Sequence, residues 1–401
     1  MNFLWGLMGI VFILFLAFLL STGKKSIKFR PILGGLAFQV FFAFIVLQWN
    51  FGRAVLEQFT VGVQEVINSA NAGVQFLFGD FILEEAIFAF TVLPVIIFFS
   101  SLIGILYYLG VMQFVIKIIG GLLSKILGTS KAESMSAAAN IFVGQTEAPL
   151  VVKPYLPSMT RSELFTVMTG GLASVAGSVL FGYAGLGIPL NYLLAASFMA
   201  APAGLIMAKM MMPETNAENT TDDIVIGKDT ESQNVIDAAA RGASTGMTLA
   251  LNVAAMLIAF VALIALINLL LGTVGGLFGA GDLTLELILG YVFAPVAFMI
   301  GVPWEEAMQA GSYIGQKLAI NEFVAYASFA PEIANLSEKS VIVITFALCG
   351  FANLSSMAII LGGFGALVPE RRGEIAQLGL RAVAAGALAS LLSASIAGMF
   401  V

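Results

Sequence analysis

Residues 132–158 read AESMSAAANIFVGQTEAPLVVKPYLPS, and this stretch decides the fold. Long uncharged apolar runs surround it. Here the apolar character is broken by Asn140, Gly144, Gln145, Thr146, Glu147 and Pro149. A second broken stretch lies at 319–331, AINEFVAYASFAP, with Asn321 and Glu322 near its start. One interrupted apolar segment in each half of a membrane chain points to a solute site at the bilayer midplane. Breaking a helix at that depth frees backbone carbonyls and amides that a solute or ion can use.

Composition agrees with a membrane setting. Of 401 residues, 59% are hydrophobic and only 10% are charged, against about 25% charged in soluble domains. Uncharged runs long enough to cross a bilayer recur, and they lack the alternation of an outer-membrane barrel. The expected fold class is therefore an all-α polytopic membrane protein with the lipid bilayer as its solvent. The chain has no histidine and one cysteine, Cys349. Disulfides within the chain are excluded, and zinc, haem or thiol–imidazole chemistry lacks its ligands. No cofactor is expected. Basic patches interleaved with aromatics are missing, which argues against a nucleic-acid partner.

Charge position orients the chain. The first run, 1–21, lacks a basic n-region and an A-x-A site, so it reads as a retained helix. Lys24, Lys25, Lys28 and Arg30 follow and place that loop in the cytoplasm. Further spans are expected at about 31–50, 86–110, 162–186, 190–211, 244–271, 340–366 and 378–400, giving eight with both termini outside. Three segments read as interfacial rather than spanning. Residues 51–85 are mixed in polarity. Residues 111–128 carry Gln113, Lys117, Ser124 and Lys125 at near-helical spacing. Residues 283–300 are apolar, but counting them as a span would put Arg371 and Arg372 outside. On this topology only Arg53, Lys317 and Lys339 lie near the outer face.

The division that follows is 1–110 as scaffold helices. Residues 111–211 hold an interfacial helix, a first re-entrant hairpin (132–158) and two spans. A cytoplasmic loop takes 212–243, acidic and without apolar runs. Residues 244–304 add a scaffold span and an interfacial helix. Residues 305–401 hold a second hairpin (306–333) and the last two spans. Each hairpin is followed by a helix that is polar in mid-span: Ser174 and Ser178 after Glu147, and Asn353, Ser355 and Ser356 after Glu322. The order hairpin, then polar-broken helix, occurs twice with opposite entry sides, as inverted repeats require. Glu147 and Glu322 are costly at membrane depth unless they have a partner, so each is a functional candidate.

The motifs GQTEAP at 144–149, NEFVAY at 321–326 and FANLSS at 351–356, with NVIDAAA at 234–240, resemble the concentrative nucleoside transporters, bacterial sodium-coupled members in particular. The resemblance covers essentially the whole chain. It implies a homotrimer whose protomers each carry eight membrane helices, two re-entrant hairpins and interfacial helices. It implies nucleobase contacts from Gln145, Thr146 and Glu147, with Val179 and Leu249 as apolar contacts and Phe351 beside the base. It implies ribose contacts from Glu322, Asn353 and Ser356. It implies a sodium site of Asn140, Val143, Ser174 and Val175. The chemistry suits these roles. A carboxylate and a carboxamide can read the edge of a base, and a carboxylate accepts two vicinal hydroxyls well.

The expected function is nucleoside import by sodium symport in a bacterial inner membrane, by alternating access around a midplane site. The alternatives are proton-coupled nucleoside symport and cation-coupled transport of another small polar solute. An intramembrane enzyme is disfavoured, because no nucleophile–base pair or metal cluster stands in the spans.

Overall fold

The computed structural model describes residues 2–79, 88–215 and 232–401. All regular structure among them is helical. Seven helical runs are long and apolar enough to cross a membrane: Asn2–Leu19, Phe29–Gln48, Phe88–Tyr108, Arg161–Gly185, Leu190–Met211, Val235–Gly276 and Pro369–Ala397. The remaining expected span, 340–366, is a broken run made of Glu338–Leu348 and Leu354–Leu367.

In chain order we name α1 Asn2–Leu19, α2 Phe29–Ala43, α3 Asn50–Phe78 and α4 Leu93–Tyr108. Then come α5 Val111–Leu127, α6 Lys131–Ala139, α7 Arg161–Ala173, α8 Gly177–Gly185 and α9 Leu190–Met211. The second half holds α10 Val235–Gly276, α11 Leu285–Met299, α12 Trp304–Ala319, α13 Glu322–Phe329, α14 Glu338–Leu348, α15 Leu354–Leu367 and α16 Arg372–Ala397. Helix α5 buries one face, Met112, Ile116, Gly120, Leu123 and Leu127, as the amphipathic reading of 111–128 requires.

Two boundaries and the burial of one residue differ from the sequence reading. Helix α10 begins at Val235, so the hydrophilic loop does not extend to 243. The Asn234 side chain accepts from the Ile236 and Asp237 amides at 3.0 Å each, and this N-cap lets a polar first turn stay helical. The acidic residues expected in that loop between 216 and 231 lie outside the described residues. Helix α10 also runs on to Gly276, past residue 271, where the expected span ends. Lys317, expected near the outer face, is buried inside the protein. It is 1% exposed, at the end of α12. The expected interfacial segment 283–300 forms α11, whose 15 residues reach about 22 Å, short of the roughly 30 Å hydrocarbon core. It turns through 116° into α12.

Small residues set the helix pairs that frame the site. Gly242 and Gly246 on α10 face α4 so closely that a Cβ would meet Ser100 O at 2.5 Å and Ser100 Cβ at 2.7 Å. This small-xxx-small spacing brings two membrane helices into backbone contact. Gly311 does the same for α12 against α11, where a Cβ would meet the Ala294 nitrogen at 2.6 Å.

The first hairpin is defined at both ends. Ser130 and Glu133 form a capping box that starts α6. After the irregular tip, Ala148–Tyr155 is a tight 3-10 helix containing Pro149 and Pro154. Proline lacks the amide that an α-helix needs, so the return arm cannot copy α6. The base is pinned by Lys209 of α9, which pairs with the buried Glu133 carboxylate and donates to Ser162 Oγ at 2.9 Å.

Candidate functional site

Two broken helices cross at their breaks. In the first, α7 ends at Ala173 and α8 starts at Gly177, with Ser174 extended between them (φ −116°, ψ 177°). In the second, α14 ends at Leu348 and α15 starts at Leu354. The Phe351 amide donates to the Ser174 carbonyl at 3.1 Å. A Cβ on Gly350 would come within 2.9 Å of the Ala173 carbonyl, so only glycine lets the breaks approach this closely. The first hairpin packs on the same point, its Phe142 carbonyl accepting from the Gly177 amide at 3.0 Å.

Around this crossing the structure gathers Gln145, Glu322, Asn353 and Ser356, all buried. Asn353 caps α15. Its Oδ1 accepts from the Ser356 amide at 2.7 Å and from Ser355 Oγ at 2.7 Å. That commits its Nδ2 to the other side, where it donates to Glu322 Oε2 at 2.9 Å. The second carboxylate oxygen, Oε1, accepts from the Tyr183 hydroxyl at 3.0 Å. A carboxylate offers about four lone-pair directions, so each oxygen keeps acceptor capacity for a further hydroxyl. Ser356 Oγ accepts from Gln145 Nε2 at 3.4 Å, while Gln145 Oε1 is buried without a hydrogen-bond partner. The cluster therefore presents acceptors from both hairpins to one point.

Other candidates stand at its margin. Glu147 is exposed at the hairpin tip, its carboxylate accepting from the Gly144 amide at 3.4 Å. Thr146 lies against α15, where a Cβ on Gly363 would come within 2.8 Å of its Cγ2. Phe351 is half-buried beside the crossing. Val179 is buried on α8 and Leu249 half-buried on α10. Both are apolar and stand outside the hydrogen-bonded cluster.

The residues implied for sodium meet where α6 reaches the first break. Asn140 is the C-cap of α6. Its Nδ2 donates to the Ser136 carbonyl at 2.9 Å, which leaves Oδ1 buried with no donor. A Cβ on Gly170 of α7 would sit 3.2 Å from Asn140 Nδ2, so the side chain abuts the broken helix. Ser174 donates its hydroxyl to the Gly170 carbonyl at 3.2 Å, keeping the oxygen's lone pairs free to accept. Thr169 Oγ1, on the preceding turn, is also buried without a partner. A buried acceptor costs free energy unless something donates to it or a cation sits on it. This set of neutral oxygens suits a hard monovalent ion. No group of His, Cys, Asp and Glu able to hold a metal ion occurs among the described residues.

Two residues of the site were not singled out in the sequence. Tyr183 is fully buried and ties the first repeat to the carboxylate of the second. It stands four residues after Val179 on α8, one helical turn along the same face, and that spacing was the available signal. Lys317 is the one basic residue of α12, five residues before Glu322.

Known proteins share this architecture. The profile of the Na+ dependent nucleoside transporter C-terminus matches residues 192–398, a nucleoside recognition (Gate) profile matches 89–190, and the corresponding N-terminal profile matches 8–81. The chain is 60% identical to the uncharacterized transporter YutK of Bacillus subtilis, over 100% of both chains. It is 50% identical to the nucleoside permease NupC of Helicobacter pylori, over 99% of this chain and 98% of that one. Among solved structures, CNTnw in an inward-facing substrate-bound state is 54% identical with a TM-score of 0.94, covering 100% of this chain and 98% of that one. A doubly substituted CNTnw in an outward-facing state gives a TM-score of 0.96 at 54% identity, with the same coverage. The chain belongs to the Na+-dependent, concentrative nucleoside transporter family.

Proposed function

We propose that this protein imports nucleosides by symport with sodium across a bacterial inner membrane, as a homotrimer, by alternating access. The observation that carries the reading is the joined cluster of Glu322, Asn353, Ser356 and Gln145, in which one buried carboxylate keeps acceptor capacity on both oxygens. In this reading Glu322, Asn353 and Ser356 hold the ribose hydroxyls. Gln145, Thr146 and Glu147 read the polar edge of the base, and Val179, Leu249 and Phe351 line its faces. An aromatic face packs on a base whatever its identity.

Sodium is held by the Asn140 and Ser174 side chains and by carbonyls at Asn140, Val143, Ser174 and Val175. The orphaned Asn140 Oδ1 supports this assignment. A bound ion would fix the hairpin tip that carries Gln145, Thr146 and Glu147, and so couple ion binding to base binding. Both glutamates then serve the solute, which leaves no dedicated proton carrier.

The parts that move are the hairpins with their broken helices, about 132–186 and 306–366. They pass a scaffold built on the glycine-packed pair α4 and α10. That CNTnw has been captured in both inward-facing and outward-facing states supports such a cycle. The test is uptake of radiolabelled uridine into proteoliposomes under a sodium gradient, a proton gradient or none. The proposal requires uptake driven by sodium. Uptake driven only by protons would support the competing coupling.

A further inference from the structure

The two repeats treat their helix breaks differently. Ser174 and Cys349 are the C-caps of the two broken helices, and each lies 27 residues after its repeat's glutamate, Glu147 or Glu322. At such an end the last carbonyls of the helix lose their amide partners and carry the negative end of the helix dipole. In the first repeat the nearby acceptors Asn140 Oδ1 and Thr169 Oγ1 are left without donors. In the second repeat they are filled from within the chain. Ala347 O would accept from the Phe351 amide in a continuous helix, but that amide is turned to Ser174. Lys317 Nζ takes its place, donating to Ala347 O at 2.7 Å and to Ser390 Oγ of α16 at 2.7 Å. Two residues earlier, Thr345 O accepts from the Tyr326 hydroxyl at 2.7 Å beside the Cys349 amide at 3.2 Å.

Lys317 also lies on the same arm of its hairpin as the implied ion ligands do in theirs, between their positions rather than on either of them. It sits on the first arm five residues before Glu322, and Asn140 and Val143 sit on the first arm seven and four residues before Glu147. A lysine this deeply buried, 1% exposed, is retained against a large desolvation penalty.

We propose that Lys317 is a tethered cation. In the second repeat it does what the coupling ion does in the first, closing the end of the broken helix and holding the ribose-binding hairpin on it. It is a positioning residue, acting on the solute through Glu322. The inference rests on the sodium-coupled nucleoside reading above.

The test is uridine binding to purified full-length protein at saturating sodium, comparing wild type with Lys317→Ala and Lys317→Met. Both variants should bind about tenfold more weakly or worse, as expected when a hydrogen-bonded charge is removed from a buried site. For Lys317→Ala, n-propylammonium, which restores the missing atoms and charge, should recover part of the affinity, and neutral propanol should not. Affinity within twofold of wild type in Lys317→Met, or equal recovery by propanol, would overturn the proposal, because packing alone would then explain the residue. If neither variant folds, Ser390→Ala is measured instead. It removes one acceptor and should weaken uridine binding several-fold, and unchanged affinity there overturns the proposal. Wild type binding no nucleoside would defeat the underlying reading, whereas loss confined to the variants bears on Lys317 alone.

Discussion

The Tyr183 hydroxyl donates to Glu322 Oε1 at 3.0 Å, joining the broken helix of one repeat to the hairpin of the other. The ring is held between Tyr326 and Phe323, with centroids 4.5 and 5.0 Å away. The carboxylate therefore has a fixed orientation before any solute arrives, and less ordering is left to be done on binding. Tyr183→Phe keeps the ring and removes the donor. A hydrogen bond to a charged group contributes roughly 1.5–3 kcal/mol, so uridine affinity should fall about tenfold or more with the fold intact. Calorimetric titration of the purified variant checks this, and an unchanged affinity would remove Tyr183 from the site.

Glu322→Gln should be more damaging. It replaces one of the two oxygens that accept from Tyr183 and Asn353 with an NH2 donor, and it takes away the carboxylate that accepts vicinal hydroxyls. Truncating one partner of a buried charged contact typically costs about 2–5 kcal/mol, so uridine uptake should be abolished while the protein still inserts. Glu147→Gln, at an exposed tip in this structure, should weaken transport by impairing base recognition. If Glu322→Gln transports uridine normally, the carboxylate does not hold the ribose.

Free nucleobases should compete poorly with uridine. Without a ribose, the buried acceptors of Glu322 and the donors of Asn353 and Ser356 would lose their partners, and sites built to hydrogen-bond a hydroxyl reject analogues that lack it. Competition by uracil as strong as by uridine would contradict a ribose-reading second hairpin.

The moving parts can be locked. Ser101 of α4 donates to the Ala239 carbonyl of α10 at 2.9 Å, within the glycine-packed scaffold. Phe99 of α4 stacks on Phe181 of α8 with centroids 3.7 Å apart, across the surface between scaffold and broken helix. Cysteines at 101 and 239, bridged by a bifunctional thiol reagent, should leave uptake intact. Cysteines at 99 and 181, bridged in the same way, should arrest it. Full activity with the second bridge in place would mean that α8 does not move past α4.

Much of this arrangement was legible in the sequence because membrane insertion imposes strong rules. Apolar run length gave the spans, and the polar interruptions at Asn140–Glu147 and Asn321–Glu322 located both hairpin tips. Gly110, at the end of the expected span 86–110, and Gly187, between the spans 162–186 and 190–211, have φ of +79° and +98°, which glycine adopts without strain. The start of α10 was misplaced because hydropathy does not see caps. Asn234 and Asp237 look like loop residues until Asn234 is seen to accept from the Ile236 and Asp237 amides, and the Asp237 carboxylate from the Gln233 amide just before the helix. Lys317 was assigned to an outer face because the positive-inside rule counts lysines without knowing which are buried against a carbonyl. Tyr183 is an ordinary apolar-face residue in one dimension, and its partner stands 139 residues away.

The central claim is that sodium and nucleoside bind one coupled site, and thermodynamic linkage makes it measurable. If sodium on Asn140 and Ser174 holds the first hairpin tip in place, then sodium must tighten uridine and uridine must tighten sodium by the same factor. The decisive measurement is uridine affinity across sodium concentrations at constant ionic strength and pH, in wild type and in Asn140→Ala and Ser174→Ala. Affinity should rise with sodium in wild type. In each variant half-saturating sodium should move up by roughly tenfold, the effect of about 1.4 kcal/mol of lost ion binding. Uridine binding indifferent to sodium, with uptake driven instead by a pH gradient, would contradict the account and make one of the two glutamates the proton carrier.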